Sequence, residues 1–276
     1  LECRAVPSTV QILQVTDLDH STWPTFGPSP FVESTAVLRT SAAPSPVALN
    51  SAPMARVATN GLIAHTVVSP FQRTATLIRV LLPHGYDPTR SYRTIYVLPV
   101  EAGSGTRYGD GLRIIQQANL HNKHQAVFVM PTFSDTPWYA DHASHPRIRQ
   151  ESHLVRFVIP FVEQRYAVST AAADRLLLGF SKSGYGAFSL LLRNPDVFGK
   201  AYSWDSPIAM GNPATPWGSM SVYGTHANFA RYHVSRLLRQ QAPLLSGGPP
   251  RLFLDGYSVA SFRSDHARTA ALMRSL

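Results

Sequence analysis

Residues 176–188, LLLGFSKSGYGAF, set a strongly apolar run directly before a stretch of small residues, with Ser181 at the junction. The apolar run reads as a buried strand, and the small-residue stretch reads as a helix packed close against it. A sharp turn from strand to helix needs small residues two before and two after its centre, because the backbones crowd there and the central residue is strained. Gly179 and Ser183 supply them, in the form G-x-S-x-S where G-x-S-x-G is commoner. Such a turn projects the Ser181 hydroxyl beyond the carboxyl edge of the sheet, while the backbone N–H of Lys182 and the helix start behind it can stabilise an oxyanion. The plain alternative is a serine that only caps a helix. Strand, turn and the Gly184, Gly186, Ala187 packing face agree on the nucleophile reading. The Lys182 side chain should point away from its neighbour and be solvated.

Working outward, short apolar runs alternate with helical patterns from Gly61 onward. Strands are expected in 61–69, 74–83, 92–100, 125–131, 175–180, 200–205 and 250–255. Helices are expected in 109–123, in 148–166 with a kink at Pro160, in 184–194, near 227–240 and in 267–275. Alternation of this kind implies a mostly parallel sheet covered on both faces. Residues 1–53 are rich in Ser, Thr, Pro and Ala without either period and read as a poorly structured arm, leaving a domain at 54–276.

Composition narrows the class. The 276 residues are 44% hydrophobic and 15% charged with one cysteine, which fits neither a disordered chain nor a disulfide scaffold, and no apolar run is long enough for a membrane span. The net charge of +9 comes almost wholly from arginine, the three lysines being Lys123, Lys182 and Lys200. These charges are scattered singly, so specific nucleic-acid binding is not expected. Cys3 has no partner in the chain, and the first 20 residues lack the basic start and apolar run of a secretory signal, leaving the cytoplasm as the default compartment.

The segment GFSKSGYGAFSLLLRNPDVFGKAYSWDSP, with IYVLPVEAGSGTRYGDGL, VFVMPTFSDTPWYADH and the spacing Pro160, Glu163, Tyr166, resembles the Putative esterase family related to esterase D, enterochelin esterases, feruloyl esterases and the mycolyltransferases. The resemblance covers about residues 60–275. It implies a three-layer α/β-hydrolase fold and cleavage of a carboxylic ester of a small molecule through an acyl-enzyme on Ser181, with no cofactor. Family members carry His-Gly after the third strand, followed by an N–H of the oxyanion hole. This chain has Pro99-Val100-Glu101, so Val100 or Glu101 would join Lys182 in that role.

A serine nucleophile needs a base, and the base needs an orienting carboxylate, usually in the order serine, acid, histidine. Asp205 and Asp255 both end strands, and the choice between them stays open. Asp265 reads as a first-turn helix residue. The family acid lies near Ser258, Ala260 and Ser261, and the family histidine follows a further strand after the last helix. The chain therefore looks truncated at its C-terminus, with His266 as the histidine that could substitute, although it reads more naturally as a surface residue of the last helix. A catalytically silent binding protein of the same fold and an acyltransferase are the alternative functions.

Trp138, Tyr139, Asp141 and His142, in the loop after the 125–131 strand, should line a substrate cleft, and Trp204 and Trp217 would suit an aromatic or sugar-bearing ester. The pairs His121/His124 and His142/His145 are spaced for a metal, but their settings are those of a helix end and a loop, so no metal is expected. The glycine-rich stretch 101–111 lacks both phosphate-binding signatures.

Overall fold

The computed structural model describes residues 55–57, 61–215, 217–245, 248–256 and 262–276. The expected arm at 1–53, with Cys3, lies outside these residues, as do Ser258, Ala260 and Ser261. Eight strands form one sheet: β1 (Ala55–Val57), β2 (Leu62–Val67), β3 (Thr76–Leu81), β4 (Arg93–Leu98), β5 (Ala126–Pro131), β6 (Arg175–Phe180), β7 (Lys200–Trp204) and β8 (Leu252–Asp255), in the order β1-β2-β3-β5-β4-β6-β7-β8. The first three pairings are antiparallel and the remaining four parallel. This is the three-layer α/β-hydrolase architecture, with β5 buried at every position because helices or loops cover both its faces.

The helices are α1 (Gly111–Gln117), α2 (Leu120–Lys123), α3 (Gln150–His153), α4 (Ile159–Glu163), α5 (Lys182–Arg193), α6 (Met220–Tyr223), α7 (His226–Phe229), α8 (Val234–Leu245) and α9 (Arg263–Ser275). Three expected helices are broken. The helix at 109–123 stops where Asn119 turns left-handed at φ 55°, and the 148–166 helix absorbs Pro160 by widening to a π turn at Leu154–Val158 before α4 begins. The amphipathic stretch near 227–240 likewise divides into α7 and α8. Among the described residues no helix is long and apolar enough to cross a membrane.

Helix α5 is the centre of the core. Eleven of its twelve residues are buried, and its glycines set the approach distances. A Cβ on Gly186 would lie 2.1 Å from the Tyr139 ring, and one on Gly184 would lie 2.5 Å from Ser203 Oγ at the end of β7. The small residues in the sequence therefore let this helix lie against both the sheet and the loop after β5.

Candidate active site

Ser181 sits between β6 and α5 at φ 52°, ψ −125°, a conformation that costs about 1–3 kcal/mol for a residue with a side chain. Its N–H donates to Trp204 O at 3.1 Å, and its side chain makes no capping hydrogen bond to α5. The work of closing the turn falls to Ser183, whose Oγ accepts from Phe180 N–H at 2.9 Å and donates to Phe180 O at 2.8 Å. Gly179 has no alternative, since a Cβ there would lie 2.1 Å from Ser183 O. The geometry agrees with a strained elbow and not with a simple helix cap.

Ser181 lies at the carboxyl edge in a row set by the parallel register, Phe180 opposite Trp204 and Trp204 opposite Asp255. Adjacent strands are about 4.8 Å apart, so Asp205 is the next residue along this edge from Ser181. Asp205 is buried, takes a left-handed φ of 47°, and its N–H donates to Asp255 O at 3.2 Å. Asp255 is otherwise occupied: Tyr202 Oη donates to its Oδ2 at 2.5 Å and Gly256 N–H to its Oδ1 at 2.8 Å. That carboxylate fastens the ends of β7 and β8 together.

The structure corrects the surface reading of His266. The residue is buried at the start of α9, and its Nε2 accepts from Ser206 N–H at 3.0 Å, with Ser206 O 3.1 Å away. Burial lowers its pKa below the ordinary histidine value, against the opposing pull of the Ser206 carbonyl and of Asp205, Asp265 and Asp255, so the imidazole is neutral at pH 7. It is thus brought to the residue next to Asp205 in the form a base requires, but with Nε2 engaged.

The amide side of the site is clearer. The N–H groups of Val100, Glu101 and Lys182 donate to no protein acceptor among the described residues. The solvated side chain expected for Lys182 is a second correction: the residue is buried and its Nζ meets Glu101 Oε1 at 2.9 Å. Two opposite charges, one beside each proposed oxyanion amide, were the available signal for this contact. The loop holding Glu101 is braced from beneath, where Tyr139 Oη donates to Pro99 O at 2.5 Å and Gly103 N–H donates to Phe133 O at 2.9 Å.

That bracing explains a third correction. Trp138 and Tyr139 have no solvent exposure and cannot line a cleft. Their N–H groups both donate to Gln150 Oε1, and Trp138 Nε1 donates to Trp217 O at 3.2 Å. Asp141 is held by Arg149 at 3.1 Å and by Ser152, its pKa raised chiefly by burial. His142 Nδ1 accepts from the N–H groups of Ser144 and His145 at 3.0 and 2.9 Å, and burial lowers its pKa. Trp138 and Tyr139 thus build the loop under the site, while Asp141 and His142 are half-buried beside it. Among the described residues no group of three or more His, Cys, Asp or Glu side chains is arranged to hold a metal.

Residues 72–244 match the family model described as Putative esterase. Among solved structures, S-formylglutathione hydrolase FrmB from Staphylococcus aureus is 18% identical with a TM-score of 0.60, covering 78% of this chain and 86% of that one. The S-formylglutathione hydrolase of Agrobacterium tumefaciens gives 14%, 0.57, 79% and 97% on the same measures, and the fluorophosphonate-binding serine hydrolase FphF of S. aureus gives 16%, 0.56, 77% and 98%. At these identities the likeness is one of fold. No curated protein matches the sequence.

Proposed function

The chain belongs to the Putative esterase family, and from that premise we propose that it is a serine hydrolase that cleaves small carboxylic esters through an acyl-enzyme on Ser181. The observation that carries the reading is the strained Ser181 backbone with its side chain uncommitted to the helix, beside three backbone N–H groups with no protein acceptor among the described residues. In this reading Ser181 Oγ attacks the acyl carbon and its proton passes to a neutral base. The carbonyl oxygen, now negative, is held by Lys182 N–H and by the N–H of Val100 or Glu101. Collapse expels the alcohol with the proton from the base, and water repeats the sequence to free the acid.

We assign the orienting carboxylate to Asp205, because Asp255 already accepts from Tyr202 and Gly256. His266 is the base in this assignment, and turnover requires it to release Ser206 N–H, which makes hydrolysis by this chain slow. The same hydrogen bond favours the second reading, a silent protein of this fold.

Fluorophosphonate labelling, with hydrolysis of p-nitrophenyl acetate beside it, tests the proposal. An adduct on Ser181 that Ser181→Ala removes, together with a loss of hydrolysis of at least about 10³-fold in that variant, is expected. Absence of both adduct and turnover would leave the silent reading in its place.

A further inference from the structure

The excursion between β7 and β8 carries an unusual charge pattern. From Ser206 to Leu254 the sequence holds Arg231, Arg236, Arg239 and Arg251 with His226 and His233, and not one Asp or Glu. Within this excursion lies an open surface recess of about 260 Å³, bounded by Gly211 and Pro213 of the loop after β7, by His226 and Phe229 of α7, and by His233 and Arg236 at the start of α8. Phe229 gives it an apolar wall, against which the His233 ring stands edge-on at a centroid distance of 5.6 Å. His226 and Arg236 have no side-chain hydrogen-bond or ion-pair partner among the described residues. His226 and Arg236 are exposed at its rim, and none of the residues lining it is a carboxylate.

We propose that this recess is a binding site for the carboxylate or phosphate group of a small organic anion, with the ligand's apolar body against Phe229 and Pro213. The Arg236 guanidinium and the His226 imidazole supply donors with no acceptor among the described residues, while His233, hydrogen-bonded to the Met210 backbone, adds a third polar ring to the same concavity. Burial first, then Arg239 and Arg236, hold the His233 pKa below the ordinary histidine value against its hydrogen bond to the Met210 backbone, and a bound anion offsets the two arginine charges. The start of α8 adds the positive end of a twelve-residue helix. The volume is below that of drug-sized sites and suits a group the size of a benzoate or phenyl phosphate. The same chemistry has two sources, an anionic group on the ester itself or a separate ligand. The site does not depend on Ser181 being the nucleophile.

The test is calorimetric titration of the full chain with phenyl phosphate and with benzoate, repeated in Ser181→Ala. Saturable binding is expected in both proteins, weakened about tenfold by Arg236→Gln, which is the loss of one charge-assisted hydrogen bond. His233→Gln should weaken it as well, while Arg165→Gln, outside the recess, should leave it unchanged. Absence of saturation, equal affinity in Arg236→Gln, equal loss in Arg165→Gln, or equal binding of neutral benzyl alcohol would each overturn the proposal. The source is read from kinetics. A KM raised in Arg236→Gln for carboxylate-bearing p-nitrophenyl esters but not for p-nitrophenyl acetate makes the recess part of the substrate site. Loss of binding without any change in KM makes the ligand a separate one.

Discussion

Lys182→Met would retain the length of a buried side chain while deleting its charge. The Glu101 carboxylate, which meets Lys182 Nζ at 2.9 Å in the wild type and is only 19% exposed, would have no counter-ion. Removing one partner of a buried pair costs about 3–5 kcal/mol when both groups are fully enclosed; the partial exposure of Glu101 brings the expectation to about 2–3 kcal/mol. Glu101 lies on the loop that would carry the second oxyanion amide, so its departure toward water moves that amide. A displacement of about 1 Å, or the loss of one such donor, lowers kcat about 100-fold. The assay pairs urea unfolding with p-nitrophenyl acetate kinetics for Lys182→Met, Glu101→Gln and the double variant. The double variant should recover much of the stability, because neither charge is left uncompensated, but it should not recover kcat. Unchanged kcat in both single variants, with stability lowered, would refute the link between the pair and the oxyanion hole. Unchanged stability in both would refute the energetic reasoning itself.

His266→Gln keeps an acceptor for Ser206 N–H but removes the base. It should abolish hydrolysis with little change in thermal midpoint, and full activity would remove His266 from the mechanism. In wild type, the neutral imidazole should sustain kcat/KM below pH 6.5, with loss only as pH falls further, measurable as a pH–rate profile. Gly186→Ala would drive a Cβ into the buried Tyr139 ring at 2.1 Å, so a destabilisation of about 2–3 kcal/mol is expected in urea; less than about 0.5 would mean that α5 shifts freely. His153 is enclosed, with Nδ1 at 3.0 Å from Ser69 Oγ, and burial pushes its pKa down to about 3. The folded state therefore binds this proton later than the unfolded one. Its stabilising effect is complete above pH 6.5 and is lost as pH falls toward 3, about 2 kcal/mol of it by pH 5. His153→Gln should flatten that part of the stability profile, and an unaltered slope in urea midpoints would count against it.

The fold was legible because the runs that decide it are local. An apolar strand ending at Gly179 and a small-residue helix after Ser181 state their own geometry, and seven of the eight strands follow from comparable runs. β1 was not foreseen, since three residues paired with β2 carry no period of their own. The breaks at Asn119 and at Leu154–Val158 were also missed, because left-handed and π turns are set by what the flanking residues pack against. At the site, Ser181 and the oxyanion amides depend on backbone shape, which the motif encodes. The roles of Trp138, Tyr139, Lys182 and His266 depend on which neighbour fills the adjacent space, and that neighbour is 40 to 81 residues away in each case: Trp217 for Trp138, Pro99 for Tyr139, Glu101 for Lys182, Ser206 for His266.

The Ser183 hydroxyl bonds both the N–H and the carbonyl of Phe180, so the bend after β6 is satisfied by residues within four positions of one another. Glycine, the commoner occupant of that position, would be an injurious repair in this chain. It would strip the Phe180 amide and carbonyl of their partner in a place that water does not reach, Ser183 being wholly enclosed. A consensus-guided stabilisation of this protein should therefore leave position 183 as serine, and a library in which 183 varies should retain serine ahead of glycine even under selection for stability alone.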